Sequence, residues 1–217
     1  MSLAKLISVN ESNSFPPDVA SPIDLRLLEE ATEWESTAME KRPWRVEFFD
    51  TFVSRIGQNS ENPKVLELGS GPGFLAAHIL DRLPNVQMHL LDFSEAMHTL
   101  ARARLGPNAS AIKFTVRSFR EPAWAEGLGT YDYVITNQAV HELRHKRHAS
   151  ELHRAVLPLL AKNATYLVCD HYVGVDGMKN DQLYMTVDEQ RQALGNAGFK
   201  SVEQLLCKGG LVLHSAR

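Results

Sequence analysis

The sequence predicts an α/β fold, doubly wound around a mostly parallel seven-stranded sheet, with a C-terminal antiparallel hairpin and an N-terminal helical cap. Three observations carry this expectation. From Lys64 onward, apolar strand-like runs alternate with helix-like stretches, as they do in a parallel sheet covered on both faces. A glycine-rich loop joins the first of these strands to its helix, and an aspartate ends the next strand. A glycine turn joins the last two strand-like runs, as in a hairpin.

Taken in order, residues 1–20 are rich in Ser, Asn and Pro and read as a loose arm. Ser21-Pro22 reads as a helix start, with a capping serine, proline at the first helical position and acidic Asp24 behind it. Leu25, Leu28, Ala31, Thr32 and Glu35 follow at helical spacing. A second helix is expected from Pro43 through Val46, Phe49, Phe52, Val53 and Ile56 to Gly57, so that 21–58 forms a cap or lid. The main domain, 59–217, begins with a strand at Lys64–Leu68 and a helix at Phe74–Leu83. Val86–Leu91 is the second strand, and Ser94 caps a helix that runs to Leu105. Further strands are expected at Ala111–Val116, Tyr131–Thr136 and Thr165–Cys169, with a helix over 146–160. Thr186-Val187-Asp188-Glu189 is a capping box that opens a helix to Ala197. Lys200–Cys207 and Leu211–His214 form the hairpin around Gly209-Gly210.

Composition narrows the functional classes. With 44% hydrophobic and 23% charged residues, the chain has enough apolar surface to build a core and does not read as disordered. A net charge of −3 offers no basic excess for a polyanion, so nucleic-acid binding is not expected. No apolar run reaches the roughly 20 residues of a membrane span, and Met1–Asn10 is too short and interrupted for a signal peptide. Cys169 and Cys207 cannot build a disulfide framework or a four-thiolate zinc site and read as reduced core thiols. The expectation is a soluble cytoplasmic protein without a membrane partner, and a homodimer is left open.

The glycine loop reads Glu67-Leu68-Gly69-Ser70-Gly71-Pro72-Gly73. Alternate glycines let the backbone turn sharply and approach a ligand closely. Asp92 follows at the end of the next strand, about 20 residues on, where a carboxylate meets ribose hydroxyls in doubly wound folds. A dinucleotide loop spaces its glycines Gly-x-Gly-x-x-Gly, whereas here Phe74 stands at the last of those positions. Glu67 would repel a pyrophosphate and favour a ligand carrying a sulfonium and an ammonium. S-adenosylmethionine is such a ligand.

At these residues the chain resembles the class I S-adenosylmethionine-dependent methyltransferases. The loop is similar to their first motif and Leu90-Leu91-Asp92-Phe93-Ser94 to their second. Tyr131–Asn137 is similar to the fourth-strand motif, Leu157–Leu160 to the segment before the fifth strand, and Ala197-Gly198-Phe199 to that before the hairpin. The resemblance covers about 60–217 and implies a Rossmann-like methyltransferase with a small-molecule acceptor and S-adenosylmethionine as cofactor. It implies a cofactor set of Glu67, Gly69, Ser70, Gly71, Gly73, Asp92, Phe93, Ser118, Phe119, Asn137 and Gln138. Ser118 stands where the family often has an acid, so a hydroxyl or the Phe119 amide takes that contact.

His141-Glu142-Leu143-Arg144-His145 matches the zinc-protease letters HExxH. Its place just after a sheet strand, and the charged Arg144, Lys146, Arg147 and His148 around it, argue instead for a solvated turn, with His145 and His148 at the surface. No metal site is expected, since Asn137 stands where a magnesium-binding acid would be needed. His141, as a neutral imidazole, and His171 are the candidate bases for an acceptor that must lose a proton. Trp34, Met39, Trp44, Phe48, Phe49, Tyr172, Tyr184 and Met185 are available to line an acceptor pocket. Without a basic cluster, that pocket suits a small, partly apolar acceptor. A cofactor-binding module without catalysis and a nicotinamide-dependent reductase are the competing readings.

Overall fold

The computed structural model describes residues 17–58 and 61–217. Seven strands form one sheet: β1 (Lys64–Leu68), β2 (Gln87–Asp92), β3 (Lys113–Val116), β4 (Tyr131–Asn137), β5 (Leu160–His171), β6 (Val202–Lys208) and β7 (Leu211–Ala216). Their order is β3-β2-β1-β4-β5-β7-β6. The first five run parallel, and β7 runs antiparallel between β5 and β6. This is the doubly wound, seven-stranded sheet with a terminal hairpin that the sequence predicts. Leu68 is in register with both Leu91 and Thr136, so the carboxyl ends of β1, β2 and β4 lie along one edge. The chain order reverses between β1 and β4, and the crevice this opens is where doubly wound sheets bind ligands.

Side-chain alternation divides the core between the two faces of the sheet. Leu66 and Leu68 of β1 join a cluster with Leu152 and Val156 of α5 (Ala149–Val156) and Leu194 of α6 (Val187–Ala197). Val65 packs on the other face with Phe48, Phe52 and Ile56 of α2 (Arg45–Ile56) and with residues of α3 (Phe74–Arg82) and α4 (Glu95–Leu105). Each fully buried aromatic or aliphatic side chain contributes about 1.5–3 kcal/mol. α2 is therefore a layer of the core and not a detachable flap. Among the described residues, no helix is long and apolar enough to cross a membrane.

The N-terminal region departs from expectation. Ser21-Pro22 does not open a helix; α1 is Leu28–Ala38, and its N-cap Leu27 supplies no side-chain cap. The polar groups of the preceding segment find other partners. Ser21 Oγ donates to the Ile23 carbonyl, the Asp24 amide donates to Glu30 Oε2 and its carboxylate accepts from the Arg26 amide. Farther on, the Leu25 carbonyl accepts from Ser94 Oγ, which holds the strap across the carboxyl edge of the sheet. Residues 1–16 of the expected loose arm lie outside the described residues. The remainder is docked: Val19 bonds the Arg144 carbonyl, and Asp18 meets Arg120, Arg147 and His148.

Other boundaries shift for local reasons. The helix expected over 146–160 is α5 flanked by 3-10 turns at Lys146–His148 and Leu157–Leu159, the second containing Pro158, which has no amide hydrogen to extend a helix. β5 is longer than expected at both ends. Cys169 is buried as predicted, whereas Cys207 is exposed because β6 is an edge strand.

Candidate active site

The glycine loop leaves β1 with Gly69 at φ 65°, and a Cβ there would sit 2.3 Å from the Ala139 Cβ. Only glycine lets the loop after β1 cross so close to the loop after β4. Gly71, at φ 53°, has open space where a Cβ would project. Gly73 does not line the cavity; its missing side chain makes room for Ala101 of α4. Asp92 is buried at the end of β2. Its Oδ2 accepts from the Gly71 amide at 2.8 Å and its Oδ1 from the Ser94 amide at 3.0 Å. Burial, only partly offset by these amides, pushes its carboxyl up to about 6.

Glu67 is buried one residue before the end of β1, and its Oε2 has no hydrogen-bond partner. Burial, and then the nearby Asp92 charge, raise its carboxyl well above the ordinary value. Ser70 Oγ and Asn137 Oδ1 are likewise buried and unpartnered. All three residues line one cavity of about 290 Å³. Buried polar atoms without protein partners call for an explanation, and a polar ligand in this cavity would give one for these three.

A second cavity, of about 320 Å³, adjoins the first and shares Ile23, Leu25, Phe93 and Phe119 with it. Ser118 lines this second cavity, with its hydroxyl accepting from the Arg120 amide. The strap at 18–26 forms much of its outer wall.

Beyond β4, Gln138 adopts φ 57°, a strained conformation for a non-glycine residue. Its Oε1 accepts from Arg45 Nε at 3.1 Å and Nη2 at 2.6 Å, while Arg45 Nη1 donates to the Ala38 carbonyl at 2.5 Å. Arg45 and its neighbour Arg42 both line the cavity. The expectation of a pocket without a basic cluster is thereby corrected: the turn between α1 and α2 brings two guanidinium groups to it.

The HExxH segment is not an α-helix. Val140–Leu143 is one 3-10 turn, and Arg144 ends it at φ 65°. His141 and His145 therefore do not share a helical face. His145 and Arg144 are buried, contrary to the surface placement expected. Arg144 Nε and Nη2 bond the Val19 and Ala20 carbonyls, and His145 Nδ1 accepts from the Arg147 amide.

His141 is not the neutral imidazole that the sequence suggests. Burial opposes its charge, but Asp170 Oδ1 lies 2.7 Å from Nδ1 and Glu142 Oε1 lies 3.3 Å from Nε2. These acids push the imidazole up to about 10. Asp170 also accepts the His141 and His171 amides, which fixes the carboxylate between the two loops. In His171, burial and the neighbouring His141 charge push the ring down to about 3. Its Nδ1 lies 3.4 Å from the Gly210 carbonyl, so Nδ1 carries the hydrogen and Nε2 the lone pair.

The cavity thus gathers Glu67, Gly69, Ser70, Gly71, Asp92, Phe93, Phe119, Asn137, Gln138, His141 and His171 of the sequence-derived set. Of the candidate acceptor-lining residues, Trp34, Met39, Phe49 and Tyr184 reach it. Phe48 is in the core, Trp44 packs against Gly209 and Met185 belongs to the opposite core cluster. Ile23, Leu25, Arg42, Arg45 and Met178 were not anticipated. Basic residues on both sides of Pro43-Trp44 are the one sequence signal that bears on the arginines.

Residues 65–161 match the family described as a methyltransferase domain. The chain is 30% identical over 162 residues to a malonyl-[acyl-carrier protein] O-methyltransferase of Geobacter sulfurreducens, covering 68% of this chain and 60% of that protein. It is also 30% identical over 97 residues to an uncharacterized methyltransferase of Bacillus subtilis, covering 43% of this chain and 50% of that one. The chain thus spans only about half to three-fifths of the length of these relatives. Among solved structures, human N-acetylserotonin methyltransferase in complex with SAM superimposes with a TM-score of 0.68 at 17% identity, over 89% of this chain and 57% of that one. With the glycine loop, the acidic end of β2 and the sheet order, these matches support a class I S-adenosylmethionine-dependent methyltransferase family for the chain.

Proposed function

We propose that the chain binds S-adenosylmethionine in the crevice above β1, β2 and β4 and transfers its methyl group to a small-molecule acceptor by in-line displacement. The observation that carries this reading is the trio of unpartnered buried atoms, Glu67 Oε2, Ser70 Oγ and Asn137 Oδ1, in one cavity with Asp92. These are acceptors suited to ammonium and hydroxyl donors, so the residues present fit that cofactor. When bound, it supplies an electrophilic methyl on a sulfonium.

The chain's own residues then bind, orient and exclude water. Asp92 keeps lone pairs beyond the amides it accepts and takes the ribose hydroxyls. Phe93 and Phe119 flank the adenine, with Ser118 at its rim. Glu67 and Asn137 accept from the ammonium, and the Gly69–Gly71 backbone faces the methionine portion. Trp34, Met39 and Phe49 dry the acceptor side, and the strap at 17–27 together with α1 caps the crevice. Alignment and exclusion of water carry the rate, because a sulfonium is already a good leaving group.

Calorimetry with S-adenosylmethionine, S-adenosylhomocysteine and NAD tests the cofactor, and release of S-adenosylhomocysteine over an acceptor panel tests turnover. Binding of NAD without binding of S-adenosylmethionine would reject this reading. Cofactor binding without turnover on any acceptor would favour a non-catalytic module.

A further inference from the structure

The acceptor side of the cavity holds a cation with no acid to match it. Arg42 lies in the turn between α1 and α2 and lines the cavity with Met178, Tyr184 and His171. Its Nη2 lies 3.9 Å from the Met178 sulfur, and among the described residues it meets no carboxylate. Arg45 beside it is bonded only to neutral oxygens, those of Gln138 and Ala38. Burial and the Arg42 charge push Arg45 down to about 10, so Arg45 remains cationic at neutral pH. A half-buried guanidinium facing a thioether is poorly compensated, and an oxyanion with two oxygens is the partner its planar fork accepts best.

Neither histidine of the same wall is an effective base. The two ring nitrogens of His141 face Asp170 and Glu142, so in its charged form both hydrogens are donated and no lone pair is left. His171 keeps a lone pair on Nε2, but its imidazole is a weak base beside charged His141. A neutral alcohol, phenol or protonated amine would have to shed a proton on methylation. An acid ionised at neutral pH would not.

We propose that the acceptor is an organic acid, a carboxylate or a phosphonate, gripped by Arg42 and methylated on its own anionic oxygen. This inference rests on the methyl-donor reading above. The step balances without a base: an oxygen lone pair forms the O–CH3 bond while the S–CH3 bond breaks and leaves its electron pair on sulfur. A carboxylate becomes a neutral ester, a phosphonate dianion becomes a monoanionic monoester, the sulfonium becomes a neutral thioether, and no proton is released. One oxygen of the acid stays on Arg42 while another attacks. Arg42 is a binding residue in this scheme, and the His141–Asp170 pair a rigid, fully bonded part of the wall.

The test uses the full chain and S-adenosylmethionine labelled in the methyl group, with short carboxylates, alkylphosphonates, alcohols, phenols and amines of matched skeletons. Label in acids is expected. From carboxylates it should be released by base as methanol, whereas phosphonate esters are identified by mass, which separates the two sources. Arg42→Gln should raise KM for the acid about tenfold or more, the loss of a charge-assisted contact, with affinity for S-adenosylmethionine unchanged. Arg42→Lys should recover part of that loss. Turnover of alcohols, phenols or amines with acids inert would overturn the proposal. So would an unchanged KM in Arg42→Gln, or cofactor binding with no acid turned over. Loss of S-adenosylmethionine binding in the wild type would instead sink the reading on which it rests.

Discussion

Cofactor binding is expected to weaken as the medium is acidified through about pH 6, and Asp92 sets that midpoint. Burial raises its carboxyl from 3.8 to about 6, even with amide hydrogen bonds from Gly71, Ser94 and Phe93 pulling the other way. The difference corresponds to about 3 kcal/mol of ionisation free energy that opposes folding at neutral pH. The folded chain holds this proton at a pH where the unfolded chain has lost it. The group's contribution to stability is therefore full below 3.8 and lost as pH rises through about 6. Ligand affinity moves in the opposite sense. Hydroxyl donors favour the carboxylate, so affinity holds above about pH 6 and falls up to about tenfold per pH unit below it. Glu67 acts in the same direction, because an ammonium draws out its ionised form. Glu67, whose carboxyl is raised as well, adds to the proton release that binding causes. Calorimetry from about pH 5 to about pH 7.5, in buffers of different ionisation heat, reads both affinity and proton release. Asp92→Asn should flatten the arm near pH 6 and lose about tenfold or more in affinity, and Glu67→Gln should reduce the proton release. An affinity constant across the range with no proton exchanged would refute the assignment of both carboxyls.

Gly69→Ala should abolish cofactor binding and lower the melting temperature, since its Cβ would overlap the Ala139 Cβ at 2.3 Å and stand at φ 65°; a binding-competent, equally stable variant would show that the two loops can move apart. Phe52→Ala, in the fully buried face of α2, should lose about 3–5 kcal/mol in urea unfolding, and a loss under about 1 kcal/mol would mean that α2 is not part of the core. The raised His141 imidazole contributes stability that is full below 6.5 and lost as pH rises toward about 10. Melting temperature should therefore fall over that interval in the wild type and lose this slope in Asp170→Asn. Identical slopes in the two proteins would remove the charged pair.

The elements that were legible are those whose signals are local. β1 falls at the residues predicted, and Ser94 and the Thr186-Glu189 box cap their helices through side chains three residues from the amides they bond. Glu67, the glycines and Asp92 were readable because one strand–loop–helix unit holds all of them in a fixed spacing. Ser21-Pro22-Asp24 carries the same kind of cap signal and fails, since the segment's longer-range bonds, Leu25 to Ser94 and Arg144 to Val19 and Ala20, outweigh a local cap. The partner of His141 was hidden for a related reason. Asp170 lies far along the chain, and only the β4–β5 register, which pairs Asn137 with Cys169, brings it alongside. Arg42 and Arg45 show no periodicity that distinguishes a cavity wall from a solvated turn.

The distribution of charge around the crevice follows from the strand order. Glu67 and Asp92 come from β1 and β2, while Gln138 with its arginine, His141 and Asp170 come from β4, β5 and the turn packed on them. The β1–β2 side is acidic; on the β4–β5 side Asp170 and Glu142 are bonded to His141 and Arg144, while Arg42 and Arg45, brought in by the α1–α2 region, meet no carboxylate among the described residues. Under the acceptor proposed above, a cationic donor and an anionic acceptor would each be drawn to the side that matches them. Methyl transfer between them would remove the sulfonium charge and one negative charge of the acid. Part of the attraction that assembles the complex would thereby be removed by the reaction itself. The demethylated cofactor should accordingly lose less affinity in Glu67→Gln than the methyl donor does, because it retains the ammonium but lacks the sulfonium charge. Equal losses for the two ligands would show that Glu67 senses only the ammonium.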